Sequence, residues 1–365
     1  MSDDSGHTGR MHVVVPAGGI GAARFLRGLL AAADSESADA AGAPGAPGDP
    51  LRVTVIGNTA DDITLFGLRV CPDLDTVMYT LGGGIHEEQG WGRRDESFAV
   101  KDELAAYGVG PAWFGLGDLD FATHIVRSQM LDAGYPLSAV TEALCARWGL
   151  ADLGVRLLPM SDDRVETHVV IDDPEAAPGT RSRRAVHFQE YWVRLHAEPT
   201  AYEIVAVGAD TATPGPGVLE ALATADVVLL PPSNPVVSIG TVLSVPGLRE
   251  ALVSSPAPVV GISPIVGGAP VRGMADKVLA AVGVATSAAA VALHYGARDH
   301  GGLLDGWLVH DGDADAVAPV EAAGIACRAV PLLMTDVEAA AAMARAALAL
   351  ARTLSRHDRA TTAGP

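Results

Sequence analysis

The chain has 365 residues, 49% hydrophobic but only 5% aromatic, with 41 Gly, three Cys and a formal net charge of −19. That length can bury a sizeable core as one large or two modest domains, and the acidic excess argues against any role that grips nucleic-acid backbones, which needs clustered Lys and Arg. Cys71, Cys145 and Cys327 show no CxxC spacing, so neither a disulfide framework nor a thiolate zinc site is indicated.

The opening "MSDDSGHTGR" is polar and acidic, without the basic start and apolar stretch of a secretory signal, so a cytoplasmic location is expected. "MHVVVPAGGIGAARFLRGLLAAA" then reads as a β-branched strand, a Gly-rich turn and a helix with Phe25, Leu26, Leu29 and Leu30 at helical spacing. This is the start of a doubly wound fold. Gly18, Gly19 and Gly21 fall between strand and helix, where free N–H groups and the helix dipole favour a phosphate. The loop is no Walker A motif, because no Gly-Lys-Ser/Thr follows. Nor does it complete the dinucleotide fingerprint: Arg24 replaces the third glycine, and the next strand ends in Asn58 instead of a ribose-binding acid. Tight strand-to-helix packing is the structural alternative. Residues 34–50 are low-complexity Ala, Gly, Pro and Asp, expected to be disordered along with 1–10 and 353–365.

"LRVTVIGN" supplies a second buried strand that runs into Asn58, Asp61 and Asp62, with Asp73 and Asp75 close behind. Four carboxylates so close repel one another unless a cation sits among them, and Mg²⁺ takes one or two carboxylates together with phosphate oxygens. Asp61 and Asp62 are the stronger candidates; helix capping is the alternative for Asp73 or Asp75. In "GGGIHEEQGWGRRDESF" the Gly-rich loop carries Trp91, able to stack on a planar ligand, and Arg94, able to steady a phosphate or a polar ring edge. "LGDLDFATHIVRSQ" offers Asp118 and Asp120, with His124 and Arg127 on one helical face; a capping Asp and a surface His are the bland readings.

Residues 128–199 break the rhythm. Helical "SQMLDAGYPLSAVTEALCARWG" and strand-like "RVETHVVID" and "RRAVHFQEYWVRLH" read as a small inserted cap of helices and a β-hairpin, within a core formed by 11–127 and 200–352. Elsewhere "DVVLLPPSN", "PVVGISPIVGG", "GWLVHDGD" and "RAVPLLMTD" are apolar runs ending in polar residues and separated by helical segments. That alternation predicts an α/β fold with a Rossmann-like, mainly parallel sheet, whose ligands collect at the carboxyl ends of the strands. Ser233, Asn234 and Ser238 would converge there on an anion. "VEAAAAMARAALALA", interrupted by Glu338 and Arg345, is a packing helix rather than a membrane span. No GxSxG, no HExxH and no convincing nucleophilic cysteine occur, so covalent catalysis is not indicated.

Together "AGGIGAARFLRGL", "GNTADDITLFGLRVCPDLDTVMYTLGGG", "GWGRRDESF", "WFGLGDLDFATHIVRSQMLDAGYPLS", "HFQEYWVR", "PPSNPVVSIGTVL" and "SPIVGG" with "RGMADK" resemble the 2-phospho-L-lactate transferase family (CofD), in its actinobacterial FbiA branch. The resemblance spans residues 11 to 350. It implies a transferase of coenzyme F(420) biosynthesis, in which the terminal ribityl hydroxyl of 7,8-didemethyl-8-hydroxy-5-deazariboflavin (Fo) attacks a phosphorus of enolpyruvyl-diphosphoguanosine, or lactyl-diphosphoguanosine, and releases GMP. It also implies Mg²⁺ as cofactor and a homodimer, with no nucleic-acid or membrane partner. By the same resemblance Asp61 and Asp62 are catalytic and metal-binding. Asn58, Asp61, Asp62, Trp91, Arg94, His124 and Arg127 meet the deazaflavin, and Gly18, Gly19, Gly21, Ser233, Asn234 and Ser238 cradle the guanosine phosphates. Arg94 stands where related sequences often have Lys, which keeps charge but changes geometry. The rival is a non-catalytic nucleotide-sugar-binding regulator of the YvcK type, which shares the Gly-rich start and the double aspartate. The two part after that aspartate pair: this chain continues "ITLFGLRVCPDLDTVMY", whereas the regulators continue with a Gly- and Ser-rich stretch.

Overall fold

The computed structural model describes residues 10–41, 51–176 and 182–354. The chain begins with β1 (His12–Ala17), wholly buried, then α1 (Ile20–Ala41) and β2 (Arg52–Gly57). A small hairpin, β3 (Ile63–Leu65) and β4 (Leu68–Val70), leads into α2 (Pro72–Leu81). The helices α3 (Ala99–Ala106), α4 (Asp118–Asp132) and α5 (Leu137–Arg147) precede β5 (Val155–Pro159). Then come β6 (Glu166–Asp172), β7 (Arg183–His187) and β8 (Glu203–Val207), followed by β9 (Val227–Leu230) and β10 (Val259–Ile262). The short antiparallel pair β11 (Ile265–Val266) and β12 (Ala269–Pro270) and the strands β13 (Gly306–His310) and β14 (Ala326–Val330) complete the strands, and a helix over Val337–Leu354 closes the described chain.

Seven strands form one parallel sheet in the order β14-β13-β10-β9-β1-β2-β5. Buried on both faces, such strands read as continuous apolar runs. Side chains alternate across β1: Val13 and Val15 join Phe25, Leu26 and Leu29 of α1 and the Val337–Leu354 helix in one core, while Val14 joins Val228, Leu230 and Trp307 in the other. The expected doubly wound α/β architecture is present. The α1 helix and the Val337–Leu354 helix touch backbone to backbone: a Cβ on Gly28 would lie 2.4 Å from the carbonyl carbon of Ala340.

Three boundaries differ from the sequence expectation. The α1 helix continues through Ala41, into the stretch expected to be disordered, because its alanines favour helix even without apolar periodicity; residues 42–50, 1–9 and 355–365 lie outside the described residues. The span 128–199 is not all cap, since β5 inside it pairs in parallel with β2, Val53 opposite Val155 and Gly57 opposite Pro159, as the edge strand of the main sheet. The predicted hairpin of β6 and β7 also gains a third strand, β8, from beyond residue 199. Among the described residues no helix is long and apolar enough to cross a membrane.

Candidate active site

Strand order reverses between β1 and β9: β1, β2 and β5 progress one way across the sheet, β9, β10, β13 and β14 the other. The loops leaving the carboxyl ends of β1 and β9 therefore diverge and leave a crevice. Gly18 and Gly19 leave β1 on one side; Ser233 and Asn234 leave β9 on the other. The walls meet closely. A Cβ on Gly18 would stand 2.3 Å from Ser238 Oγ, and one on Gly21 would stand 2.4 Å from the Pro232 carbonyl oxygen. Ser233 Oγ is buried with no hydrogen-bond partner, a donor left for a ligand acceptor. Asn234 serves the backbone instead: its Oδ1 accepts from Val236 N (2.9 Å) and Val237 N (3.2 Å), capping the helical turns over Pro235–Gly240.

Asn58, at the end of β2, ties the acidic loop to both walls. Its Oδ1 accepts from Ala60 N (3.0 Å) and the Thr241 hydroxyl (3.1 Å), and its Nδ2 donates to Asp73 Oδ2 (2.9 Å) and the Val237 carbonyl (3.3 Å). The amide's full capacity is thereby used inside the protein, which makes Asn58 an organiser of the site. Asp73 is not the helix cap weighed from sequence. Cys71 occupies the cap position of α2 and Pro72 its first turn, so Asp73 reaches the glycine loop, 2.7 Å from where a Cβ on Gly19 would sit.

Asp61 is buried, and its Oδ1 has no partner. Burial first, then the charge of Asp73, pushes its carboxyl well above the usual carboxylate range. Asp73 keeps an edge open to water, yet burial outweighs the Asn58 hydrogen bond and raises it to about 7, with Asp62 adding repulsion. Asp62 is raised to about 6 by burial, opposed chiefly by Arg69, whose Nε and Nη2 reach Asp62 Oδ2 at 3.2 and 3.0 Å. Asp61 and Asp73 are thus two crowded carboxylates without a cation of their own, one with an orphan oxygen, beside a glycine loop. That donor set suits a hard divalent ion that completes its shell with phosphate oxygens. Among the described residues no group of three or more His, Cys, Asp or Glu converges to hold a metal ion.

His124 and Arg127 are not in this crevice. Both are 2% exposed, lying under α2, where Arg127 Nη1 donates to Asp75 Oδ2 (3.1 Å), Arg127 Nη2 pairs with Asp75 Oδ1, and His124 Nδ1 sits 3.0 Å from Arg127 Nη1. Burial drives the His124 imidazole down to about 4, so it is neutral at pH 7. That helical face answers Asp75 through the Arg127 fork, while His124 Nε2 and Arg127 Nε are buried without a hydrogen-bond partner among the described residues. Asp118 caps the neighbouring helix α3 through Ser97, Ala99 and Val100.

Trp91 and Arg94 lie on the loop after α2, which is clamped over the start of α1: Arg272 donates to the carbonyls of Gln89 (2.9 Å) and Glu88 (3.3 Å), and Arg24 to that of Glu87 (3.4 Å). Half-exposed Trp91 lines a cleft of about 260 Å³ with Arg93, Glu96, Phe98 and Asp120. Arg94 is largely exposed beside Asp95. Sequence reasoning missed Arg69, although an arginine inside the strand-like "LRV" is itself a sign of a buried acid nearby.

Sheet, switch point and acidic glycine-loop crevice place the chain in the class of doubly wound α/β proteins whose ligand site opens where strand order reverses. The chain belongs to the 2-phospho-L-lactate transferase CofD family, which matches residues 13–341; it is a transferase of coenzyme F(420) biosynthesis. It is 70% identical over 341 residues to the phosphoenolpyruvate transferase of Kitasatospora aureofaciens, covering 93% of this chain and 98% of that one. It is 62% identical over 348 residues to that of Thermobifida fusca, covering 95% of this chain and 100% of the other. Among solved structures, a UPF0052 family member from Bacillus halodurans shares the fold at a TM-score of 0.56 and 19% identity, over 93% of this chain and 99% of that one.

Proposed function

We propose that the protein transfers the enolpyruvyl-phosphate group from enolpyruvyl-diphosphoguanosine to the terminal ribityl hydroxyl of Fo. A new P–O bond to the ribityl oxygen forms, the bond from the transferred phosphorus to the oxygen bridging the two phosphorus atoms breaks, and GMP leaves, giving dehydro coenzyme F(420)-0. The observation that carries this reading is the crowding of buried Asp61 by Asp73, which itself lies against the glycine loop at the switch point. The names of the relatives support enolpyruvyl over the lactyl group as the moiety transferred.

Phosphoryl transfer asks for positioning and charge neutralisation more than for a covalent group. Asp61 and Asp73 would hold Mg²⁺, which when bound neutralises charge on the phosphate oxygens. Asp73 replaces Asp62 in that role because Asp62 already answers Arg69. Gly18, Gly19 and the α1 N-terminus, with Ser233 and Ser238, would receive the guanosine phosphates. Asp62 Oδ1, without a partner, would accept the proton of the attacking hydroxyl. Trp91 would stack on the deazaflavin ring at the cleft it lines. A homodimer is part of the same proposal, read by light scattering.

Mass spectrometry of the products after mixing protein, Mg²⁺, Fo and either donor tests it. A phosphodiester product with GMP, faster with the enolpyruvyl donor, is the expected result. Folded protein that binds the donor but forms no product with either would overturn it in favour of a binding-only regulator.

A further inference from the structure

Behind the crevice, four charged residues are linked from α2 to the acidic loop, with the middle link made through the main chain of Arg69: Asp75, Arg127, Arg69 and Asp62. Arg127 meets both oxygens of Asp75, and its Nη1 also donates to the Arg69 carbonyl at 3.3 Å. The Ser128 hydroxyl accepts from Arg69 N at 2.8 Å. The helix α4 therefore fixes the main chain of Arg69 on both its N–H and its C=O.

The two arginine–carboxylate pairs differ in a way that matters. Arg127 and Asp75 meet fork to fork, two nitrogens on two oxygens, the arrangement that extracts most from a purely structural pair. Arg69 instead places Nε and Nη2 on the single oxygen Oδ2 of Asp62, at 3.2 and 3.0 Å, and leaves Oδ1 buried without a partner. The main chain beside it is held as well, by His187 Nε2 near the Asp62 carbonyl (3.1 Å) and Gln189 Nε2 on that of Asp61 (3.3 Å).

We infer that Arg69, itself held by Ser128 and by the Arg127–Asp75 pair, is a positioning residue for the transfer reaction: it engages one oxygen of Asp62 so that the other is presented to the reacting hydroxyl in one orientation. The inference rests on the proposed role of Asp62. Arg69 touches neither substrate in this scheme and acts through the carboxylate alone, and Arg127 acts one step further back by holding the backbone of Arg69.

A double-mutant cycle tests it, with single-turnover rates measured for wild type, Arg69→Met, Asp62→Asn and the double variant, alongside the KM of both substrates. Arg69→Met is expected to lower the rate at least tenfold with donor KM within about twofold, because a mispositioned group slows chemistry rather than binding. In the Asp62→Asn background the same substitution should change the rate less than twofold, since the group it positions is gone. Arg69→Lys, which keeps the charge and guards against loss of folding, should recover part of the rate, because one nitrogen replaces a two-nitrogen grip. Equal losses in both backgrounds, or a loss confined to KM, would overturn the inference while leaving the transferase reading intact. A wild-type enzyme without product from either donor would overturn both.

Discussion

Replacing Asp73 by Asn should make the protein more stable and far less active. The Asp73 carboxyl is raised from the ordinary 3.8 to about 7, mainly by burial, so the folded state binds its proton more tightly than the unfolded chain does. Stability from this group is full below about pH 4, is lost as pH rises toward 7, and above that the ionised carboxylate weighs fully against folding. Each tenfold change is worth about 1.4 kcal/mol, so the penalty at pH 8 is on the order of 4 kcal/mol; the edge open to water reduces it to roughly 2–4 kcal/mol. An Asn at this position removes the charge, keeps an acceptor for Asn58 Nδ2 and relieves the repulsion on Asp61. Thermal melting in EDTA should show the variant several degrees above wild type at pH 8, with less than half that gain at pH 5. Adding Mg²⁺ should raise the wild type and leave the variant unmoved, because the variant lacks half of the proposed ion site. A variant that melts at or below wild type at pH 8 would refute the reasoning.

Gly18→Ala sets a methyl 2.3 Å from Ser238 Oγ; overpacking of this kind costs roughly 1–3 kcal/mol, and donor KM should rise at least tenfold, with Ser238→Gly restoring much of the melting temperature in the double variant. Trp91→Ala should weaken deazaflavin binding in a fluorescence titration while leaving the melting temperature unchanged, because Trp91 is 49% exposed and packs little of the core. Arg298→Met, far from the crevice, strips the counter-charge from buried Asp305, which keeps only the Val259 N–H, and the donors from the Val253 and Ala257 carbonyls. Denaturant unfolding should show a loss of about 3–5 kcal/mol, with turnover per folded molecule unchanged.

What could be read from sequence was local. The strand–glycine–helix start, the acids after β2 and the serines after β9 are each one contiguous run whose residue types declare their chemistry. What could not be read depends on pairs distant along the chain. β5 belongs to the main sheet because Val155–Pro159 finds β2, far earlier in the chain, and an apolar run of that length does not say which edge it will join. Asp73 and Asp75 look alike in "CPDLDTV". Both at the start of one helix, they point to different sides, one to the glycine loop and the other to Arg127. His124 and Arg127 show helical spacing, which tells that they share a face but not whether that face meets a ligand or a buried acid.

The bare contact between Gly28 and Ala340 bears on how the protein is made. The helix that carries the glycine loop is synthesised before all but the first strand of the sheet, while the helix that covers it, Val337–Leu354, follows the last of them. Until that late helix arrives, Phe25, Leu26 and Leu29 lack part of their apolar cover. A nascent chain stalled before Val337 would leave that face of α1 open to chaperones and proteases. Translation thus reaches the helix that seats the glycine loop only after every strand of the sheet has been synthesised.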